Sequence, residues 1–268
     1  MPRQRPTPAK TAPPIDVRLM NATASVLFVV AALALLGFGL AWLVRLPAFT
    51  LQAVRIEGDV GRNSAATIRA NALPKLAGNF FTLDLERAQA AFQSVPWVRR
   101  AVVSRRWPNW LAVQLEEHRV AAWWHRENAD DKLVNLQGEV FEANPGDVED
   151  EGLPTLAGPD ERQAPAMLAL LRRLDPVFAP LEARVETLSL SARGSWRLVL
   201  DSGAEIELGR GSDDEVVARS QAFVGTVGDV TQRYSRPLAS ADLRHADGYA
   251  VKLRGVGTVE SLPKKKSN

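Results

Sequence analysis

From Asn21 to Val44 the chain carries no charged side chain, and the run closes on Leu35-Leu36-Gly37-Phe38-Gly39-Leu40-Ala41-Trp42-Leu43-Val44. As a helix these 24 residues reach about 36 Å, enough to cross a hydrocarbon core of about 30 Å with some tilt. Arg18 and Arg45 bracket the run, and Trp42 stands where an interfacial aromatic is expected. A buried core helix is the alternative, but soluble cores rarely need so long an uncharged stretch. Ahead of the run lie Arg3, Arg5, Lys10 and Arg18 against one acid, Asp16. The positive-inside rule keeps that basic end in the cytoplasm and sends everything after Arg45 across the membrane. A cleavable signal peptide would have an apolar core of about 7–15 residues followed by a small-x-small site. Here the core is longer, and Leu46-Pro47-Ala48-Phe49 offers no such site. The expectation is an uncleaved anchor.

About 220 of the 268 residues follow the anchor, enough for one large or two small domains with their own cores. The formal charge of +2 is unevenly spread. Residues 1–20 carry +3 and Lys264-Lys265-Lys266 another +3, which leaves the body near −4. The high isoelectric point of 9.1 therefore comes from the two ends, and nucleic-acid binding by the folded part has no support. Cysteine is absent, which removes thiolate catalysis, Cys-ligated zinc and iron–sulfur clusters. Residues 1–20, with Pro2, Pro6, Pro8, Pro13 and Pro14, cannot bury a core and predict a disordered tail. The lysine-rich end at 257–268 predicts another.

After the anchor, Ala53-Val54-Arg55-Ile56-Glu57-Gly58 alternates like a half-buried strand ended by glycine. Ser64 predicts the cap of a short helix through Leu73, and Asp84 opens a second helix with Leu85, Ala88 and Phe92 on one face. Pro96 ends it. A basic, β-branched strand follows over Val98 to Arg105, then a turn at Trp107-Pro108-Asn109. Trp110 to Glu117 is a strand with Leu111, Val113 and Leu115 on one face. The order strand, helix, helix, strand, strand predicts a small α+β domain with its helices on one face of the sheet.

Beyond it, Ala121-Ala122-Trp123-Trp124 predicts a strand, and Leu133 to Phe141 a hairpin turning at Gln137-Gly138. The acidic, Pro- and Gly-containing segment from Glu142 to Pro159 reads as a surface loop. Pro165 to Leu174 is a helix whose Met167, Leu168, Leu171 and Leu174 form a packing stripe. Leu188 and Leu190 mark a strand. Trp196 to Leu200 and Glu205 to Leu208 flank Asp201-Ser202-Gly203, a strong hairpin signal. Ser212-Asp213-Asp214-Glu215 is a capping box opening a helix with Val216, Val217, Phe223 and Val224. Ala241 to Arg244 and Tyr249 to Leu253 are expected to pair around His245-Ala246-Asp247-Gly248. Tyr249, Val251 and Leu253 then face one way, Ala250 and Lys252 the other. This second domain is mainly β with two helices.

Chemistry finds little foothold. His118, His125 and His245 share no metal-binding spacing and are explained as polar strand ends or loops. Neither Gly-x-Ser-x-Gly nor Ser-x-x-Lys with its partner motifs occurs. Gly209-Arg210-Gly211 lacks the third glycine of a dinucleotide fingerprint, and the hairpin before it is antiparallel. Paired acids such as Asp130-Asp131 and Asp213-Asp214 lie beside turns. No catalytic residue, cofactor site, metal site or small-molecule substrate is expected. Two features read as surfaces instead. Arg99, Arg100, Arg105 and Arg106 with Trp97, Trp107 and Trp110 make a basic-aromatic patch close after the anchor. Its ordinary reading is tryptophans packing a small core while arginines solvate one face or meet lipid headgroups. The other is the strand Tyr249 to Leu253, placed to form a sheet edge, where a partner can add a strand.

Val95-Pro96-Trp97-Val98-Arg99, Arg106-Trp107-Pro108-Asn109 and Val54-Arg55-Ile56-Glu57-Gly58, followed by Asp242-Leu243-Arg244, Gly248 and Ala250-Val251, resemble the FtsQ family of bacterial cell-division proteins. The resemblance runs in order from anchor to last strand. It implies a tail (1–20), a transmembrane helix (21–44), a POTRA domain (49–118), an FtsQ-type β domain (119–256) and a basic tail (257–268). It implies a single-pass inner-membrane protein at the division septum, without enzymatic activity, linking early and late division proteins. In the family, the segment after Asp-Leu-Arg and the last strand receive FtsB, which acts with FtsL. That assigns Arg244, His245, Gly248, Tyr249, Ala250, Val251, Lys252 and Leu253 to the contact. The POTRA face, associated with FtsK and FtsW, is carried to Trp97, Arg99, Arg100, Val103 and Arg105. His245 departs from the pattern, since an aromatic residue is common just after Asp-Leu-Arg. The competing expectation is a membrane-anchored POTRA adaptor in secretion or outer-membrane assembly. Those systems usually repeat POTRA or join it to a barrel.

Overall fold

The computed structural model describes residues 15–58, 60–127, 130–245 and 248–255. Expectations for 1–14, for the lysine-rich end and for Ala246-Asp247 lie outside the described residues. The folded chain divides into two compact units, one built from residues up to Val95 with Arg100–Glu116, the other from Pro96–Arg99 with residues from Glu117 onward.

The first unit begins with α1 (Ile15–Val44), whose Leu19–Val44 stretch is long and apolar enough to cross a membrane and is exposed up to Leu43, with Val44 half-buried. The helix thus starts before Asn21, so residues 15–20, expected in the tail, are helical. A short 3-10 turn at Pro47–Phe49 leads into β1 (Ala53–Gly58). Then come α2 (Ala65–Ala72), α3 (Leu85–Gln93), β2 (Val98–Arg106) and β3 (Trp110–Glu117). Ser64 caps α2 by accepting the Thr67 N–H, and Asp84 caps α3 by accepting those of Glu86 and Arg87. Each such cap contributes about 1 kcal/mol by satisfying orphan donors. The sheet runs β1-β3-β2, with β1 and β3 parallel and Ala53 opposite Trp110. Ile68, Phe92, Leu111 and Val113 are fully buried, each stabilising by about 1.5–3 kcal/mol. Gly58 closes β1 at φ +111°, where a Cβ would meet the Leu115 carbonyl, so the strand's end requires glycine.

The second unit is built on one nine-stranded sheet in the order β12-β11-β10-β9-β8-β7-β4-β5-β6. Its strands are β4 (Val120–His125), β5 (Lys132–Asn135), β6 (Val140–Phe141), β7 (Thr155–Ala157), β8 (Val185–Leu190), β9 (Trp196–Leu200), β10 (Glu205–Gly209), β11 (Leu238–Asp242) and β12 (Ala250–Leu253). Helices α4 (Ala164–Phe178) and α5 (Asp213–Tyr234) pack on each other and on the sheet. The Ser212/Glu215 capping box is formed in full. Trp124, Met167, Leu174, Leu188, Leu198 and Phe223 lie in one continuous core. Pairing is mixed: β4–β7–β8 and β10–β11 are parallel, the remaining neighbours antiparallel.

Three expectations need correction. The acidic segment Glu142–Pro159 is not all loop, because Thr155-Leu156-Ala157 forms β7 between two parallel neighbours. The helix from Pro165 continues to Phe178 through Pro176. The strand expected over Ala241–Arg244 begins earlier, at Leu238, and ends at Asp242.

Candidate partner-binding edge

Among the described residues β12 pairs with β11 alone and forms one end of the nine-stranded sheet. The direction of its backbone groups follows from one bond at its end. The Arg254 N–H donates to the Pro237 carbonyl at 2.9 Å, so Arg254 turns its peptide groups toward β11. Alternation along an antiparallel strand then turns Lys252 and Ala250 inward as well, and leaves the N–H and C=O of Val251 and Leu253 pointing out of the sheet. The register agrees, with Lys252 opposite Ser240 and Ala250 opposite Asp242, and the irregularity between Leu238 and Ser240 absorbed on β11. Those outward groups form a template for one further strand.

The side chains divide as the alternation predicts. Tyr249, Val251 and Leu253 turn toward α5 and the core, Leu253 being buried. The Tyr249 ring meets Phe223 edge-on at 5.0 Å, and its hydroxyl is 2.6 Å from Thr226 Oγ1. Ala250 and Lys252 are exposed on the opposite face. A strand laid beside β12 would thus meet its backbone along the rim, with Ala250 and Lys252 as the exposed side-chain neighbours. Leu253, expected in the contact, offers its peptide groups there, while its side chain and that of Tyr249 hold the edge to the domain.

Arg244 lies just past β11 rather than within it. Its guanidinium donates to both oxygens of Asp242, at 2.9 and 2.6 Å, and its N–H to Asp242 Oδ1 at 3.0 Å. These bonds, the guanidinium's first, outweigh burial and hold the Asp242 carboxyl down to about 2. The clamp fixes the first residues of the connection to β12. Leu243 extends the parallel ladder by donating to the Glu207 carbonyl at 2.8 Å. His245 and Gly248 are exposed. The Asp242–Arg244 clamp was not foreseen from sequence, although an Asp-x-Arg spacing across a strand end carries the signal.

The residues of the second candidate surface differ in exposure. Trp97 is only 3 % exposed and packs with Leu133 and Val148 in a separate core cluster. Its Nε1–H donates to Asp147 Oδ2 at 3.0 Å. Arg99 is engaged with Glu139 through bonds of 2.7 and 3.1 Å. Arg105 donates to the carbonyls of Phe80 and Leu83 at 2.6 and 2.5 Å. Arg100 is exposed and Val103 half-buried. The basic-aromatic patch read from sequence is therefore split between core packing, an ion pair and a loop clamp. Trp97 has no exposed face to offer a partner.

Comparison with known proteins covers almost the whole chain. Residues 49–118 match the domain described as "POTRA domain, FtsQ-type", and residues 122–244 match "Cell division protein FtsQ/DivIB, C-terminal". A cell division protein FtsQ of Burkholderia pseudomallei is 41% identical over 242 residues, covering 90% of this chain and 94% of that one. Its counterpart in Thiomonas arsenitoxydans is 40% identical over 244 residues, covering 91% and 89%. That of Neisseria meningitidis serogroup B is 28% identical over 244 residues, covering 90% and 96%.

Proposed function

Because the chain belongs to the FtsQ family of cell-division proteins, we propose that it is a non-enzymatic division scaffold that captures the FtsB/FtsL complex by strand addition to β12. In this reading α1 anchors it in the inner membrane at the septum, residues before the anchor are cytoplasmic, and both folded units are periplasmic. The observation that carries the proposal is the outward set of peptide groups at Val251 and Leu253 on an open sheet edge. Main-chain hydrogen bonds supply affinity in such a contact and alternate side chains supply selectivity. Ala250 and Lys252 are those side chains here. Confinement to the membrane raises the effective concentration of other anchored partners, so a modest edge contact suffices. The anchor, the POTRA domain and the β domain then connect early and late division proteins without a catalytic step.

The test compares wild type with Val251→Pro, both full-length in lipid nanodiscs, for binding of the cognate periplasmic segments of FtsB with FtsL. Proline at 251 removes a donor that points out of the sheet, so the β11–β12 ladder is retained. Loss of binding by a variant with an unchanged circular dichroism spectrum is the expected outcome. Undiminished binding by the folded variant would move the contact away from β12. Absence of binding by wild type would remove the FtsB/FtsL assignment itself.

A further inference from the structure

The end of the first unit nearest the anchor carries exposed apolar side chains. Phe81 is 48 % exposed, and Trp107, in the turn between β2 and β3, is 82 % exposed. Both are held where α1 ends. Asn79 Nδ2 donates to the carbonyl of Val44, the last residue of α1, at 2.5 Å. That bond satisfies one of the helix's orphan carbonyls and fixes the 79–82 turn at the anchor's mouth. The Phe80 N–H donates to the Phe49 carbonyl at 2.9 Å, and the Phe49 and Phe81 rings meet edge-on at 4.9 Å. The turn carrying Trp107 belongs to the same end, for two reasons. The Gln52 N–H donates to the Asn109 carbonyl at 3.0 Å. Arg105, two residues before Trp107, grips the Phe80 and Leu83 carbonyls. Arg45 and Arg106 are exposed beside this cluster.

We propose that this end of the unit is a bilayer-docking surface, with Phe81 and Trp107 set in the interfacial layer and Arg45 and Arg106 facing the phosphates of anionic lipid. The proposal rests on α1 being a membrane span. The interfacial layer on each side is about 5–8 Å deep, the difference between a bilayer of about 40–45 Å and its core of about 30 Å. A hydrogen bond to Val44 confines the Phe81 turn to that depth. Tryptophan is the side chain most suited to the layer, with an apolar body and one N–H donor. In water, an exposed tryptophan and phenylalanine flanked by arginines would leave apolar area uncovered at no gain. Against lipid the same residues hold the unit to the membrane at points other than its covalent tether. The anchor's exit is then braced rather than swivelling.

The absence of cysteine allows single-site labelling of the full chain. The Arg106→Cys variant, carrying a small uncharged fluorophore, leaves Phe81 and Trp107 in place. It is reconstituted in vesicles of phosphatidylethanolamine and phosphatidylglycerol with a phospholipid whose nitroxide lies near the headgroup. A control probe at Glu116, exposed six residues farther along β3 than Trp110, sits roughly 20 Å away. A second control at Gly37, inside the apolar stretch of α1 and seven residues before its end, is read with a nitroxide within the acyl chains. The proposal predicts quenching at 106 several-fold above that at 116, falling to the level at 116 when Phe81→Ser and Trp107→Ser are added. Quenching at 37 with none above background at 106 overturns the docking surface and leaves the aromatics to a membrane-embedded protein segment. Quenching at 106 that the serine pair leaves unchanged also overturns it, since proximity alone then accounts for the signal. No quenching at 37 overturns the membrane span, and the docking surface with it.

Discussion

The two ends of the nine-stranded sheet are finished in opposite ways. At one end β6 is two residues long, and its Phe141 lies between the His118 ring, stacked at 3.9 Å, and the Trp97 ring, edge-on at 5.5 Å. Asn135, fully buried, ties that end together. Its Oδ1 accepts the N–H groups of Gln137 and Glu139, both at 2.9 Å, and its Nδ2 reaches Glu139 Oε2 at 2.6 Å. Trp97 occupies the left-handed region at φ +70°, a conformation a bulky side chain holds only when its surroundings demand it. At the other end β12 has four residues, outward backbone groups and two exposed side chains. A short, ring-covered edge resists added strands, and a longer bare edge invites them. The same sheet thus ends in a short strand packed among rings on one side and in a longer strand with outward backbone groups on the other.

Breaking the closed end should have the largest effect on stability. Trp97→Ala should cost about 3–5 kcal/mol, as removal of a buried aromatic with its hydrogen bond does, read by denaturant unfolding of the full chain. Binding at β12 by the fraction that stays folded should be unchanged. Asn135→Ala should cost less, about 1–3 kcal/mol, by stranding two backbone donors. Val251→Pro at the open end reverses the pattern: stability nearly unchanged, and strand binding weakened by about ten-fold or more. Unaltered affinity would show that the two ends do not differ in the way their geometry indicates.

Acid separates the ends more finely. Arg99 first, and Asn135 after it, hold the Glu139 carboxyl at about 2 against an ordinary 4.5, while Arg244 holds Asp242 at about 2 against 3.8. Both carboxyls bind protons more weakly folded than unfolded. Their contribution is therefore complete above the ordinary values and is lost as pH falls toward about 2. Melting temperature should drop over that window, and Glu139→Gln and Asp242→Asn should each flatten the drop. A slope left unchanged by both would mean that other carboxylates carry the acid sensitivity. The smallest effect belongs to Lys252→Ala, expected to shift stability by no more than about 0.5 kcal/mol while altering selectivity of strand binding.

What could be read from sequence was what is local. Ser64, Asp84 and Ser212 announced their helices because a cap needs only the next three residues. Asp201-Ser202-Gly203 announced its hairpin in the same way, and the alternation of Tyr249 to Leu253 gave the faces of β12. β7 was missed because three residues show no period, and Thr155–Ala157 become a strand only through β4 and β8, which are distant in sequence. Core packing of the tryptophans was one reading of the patch, but what Trp97 packs against was not legible for a related reason: Leu133, Asp147 and Val148 lie far along the chain. A basic-aromatic run looks the same in sequence whether its rings face solvent or a core.

Among the described residues β12 pairs with β11 alone, and β11 joins the sheet through a parallel ladder to β10 that spans the whole of α5. Parallel pairing over such a separation waits for the crossover helix to form and pack. The β12 edge is therefore expected among the last parts of the unit to be completed. Anything that recognises it by backbone pairing is, in the same act, inspecting whether the chain behind it has finished folding.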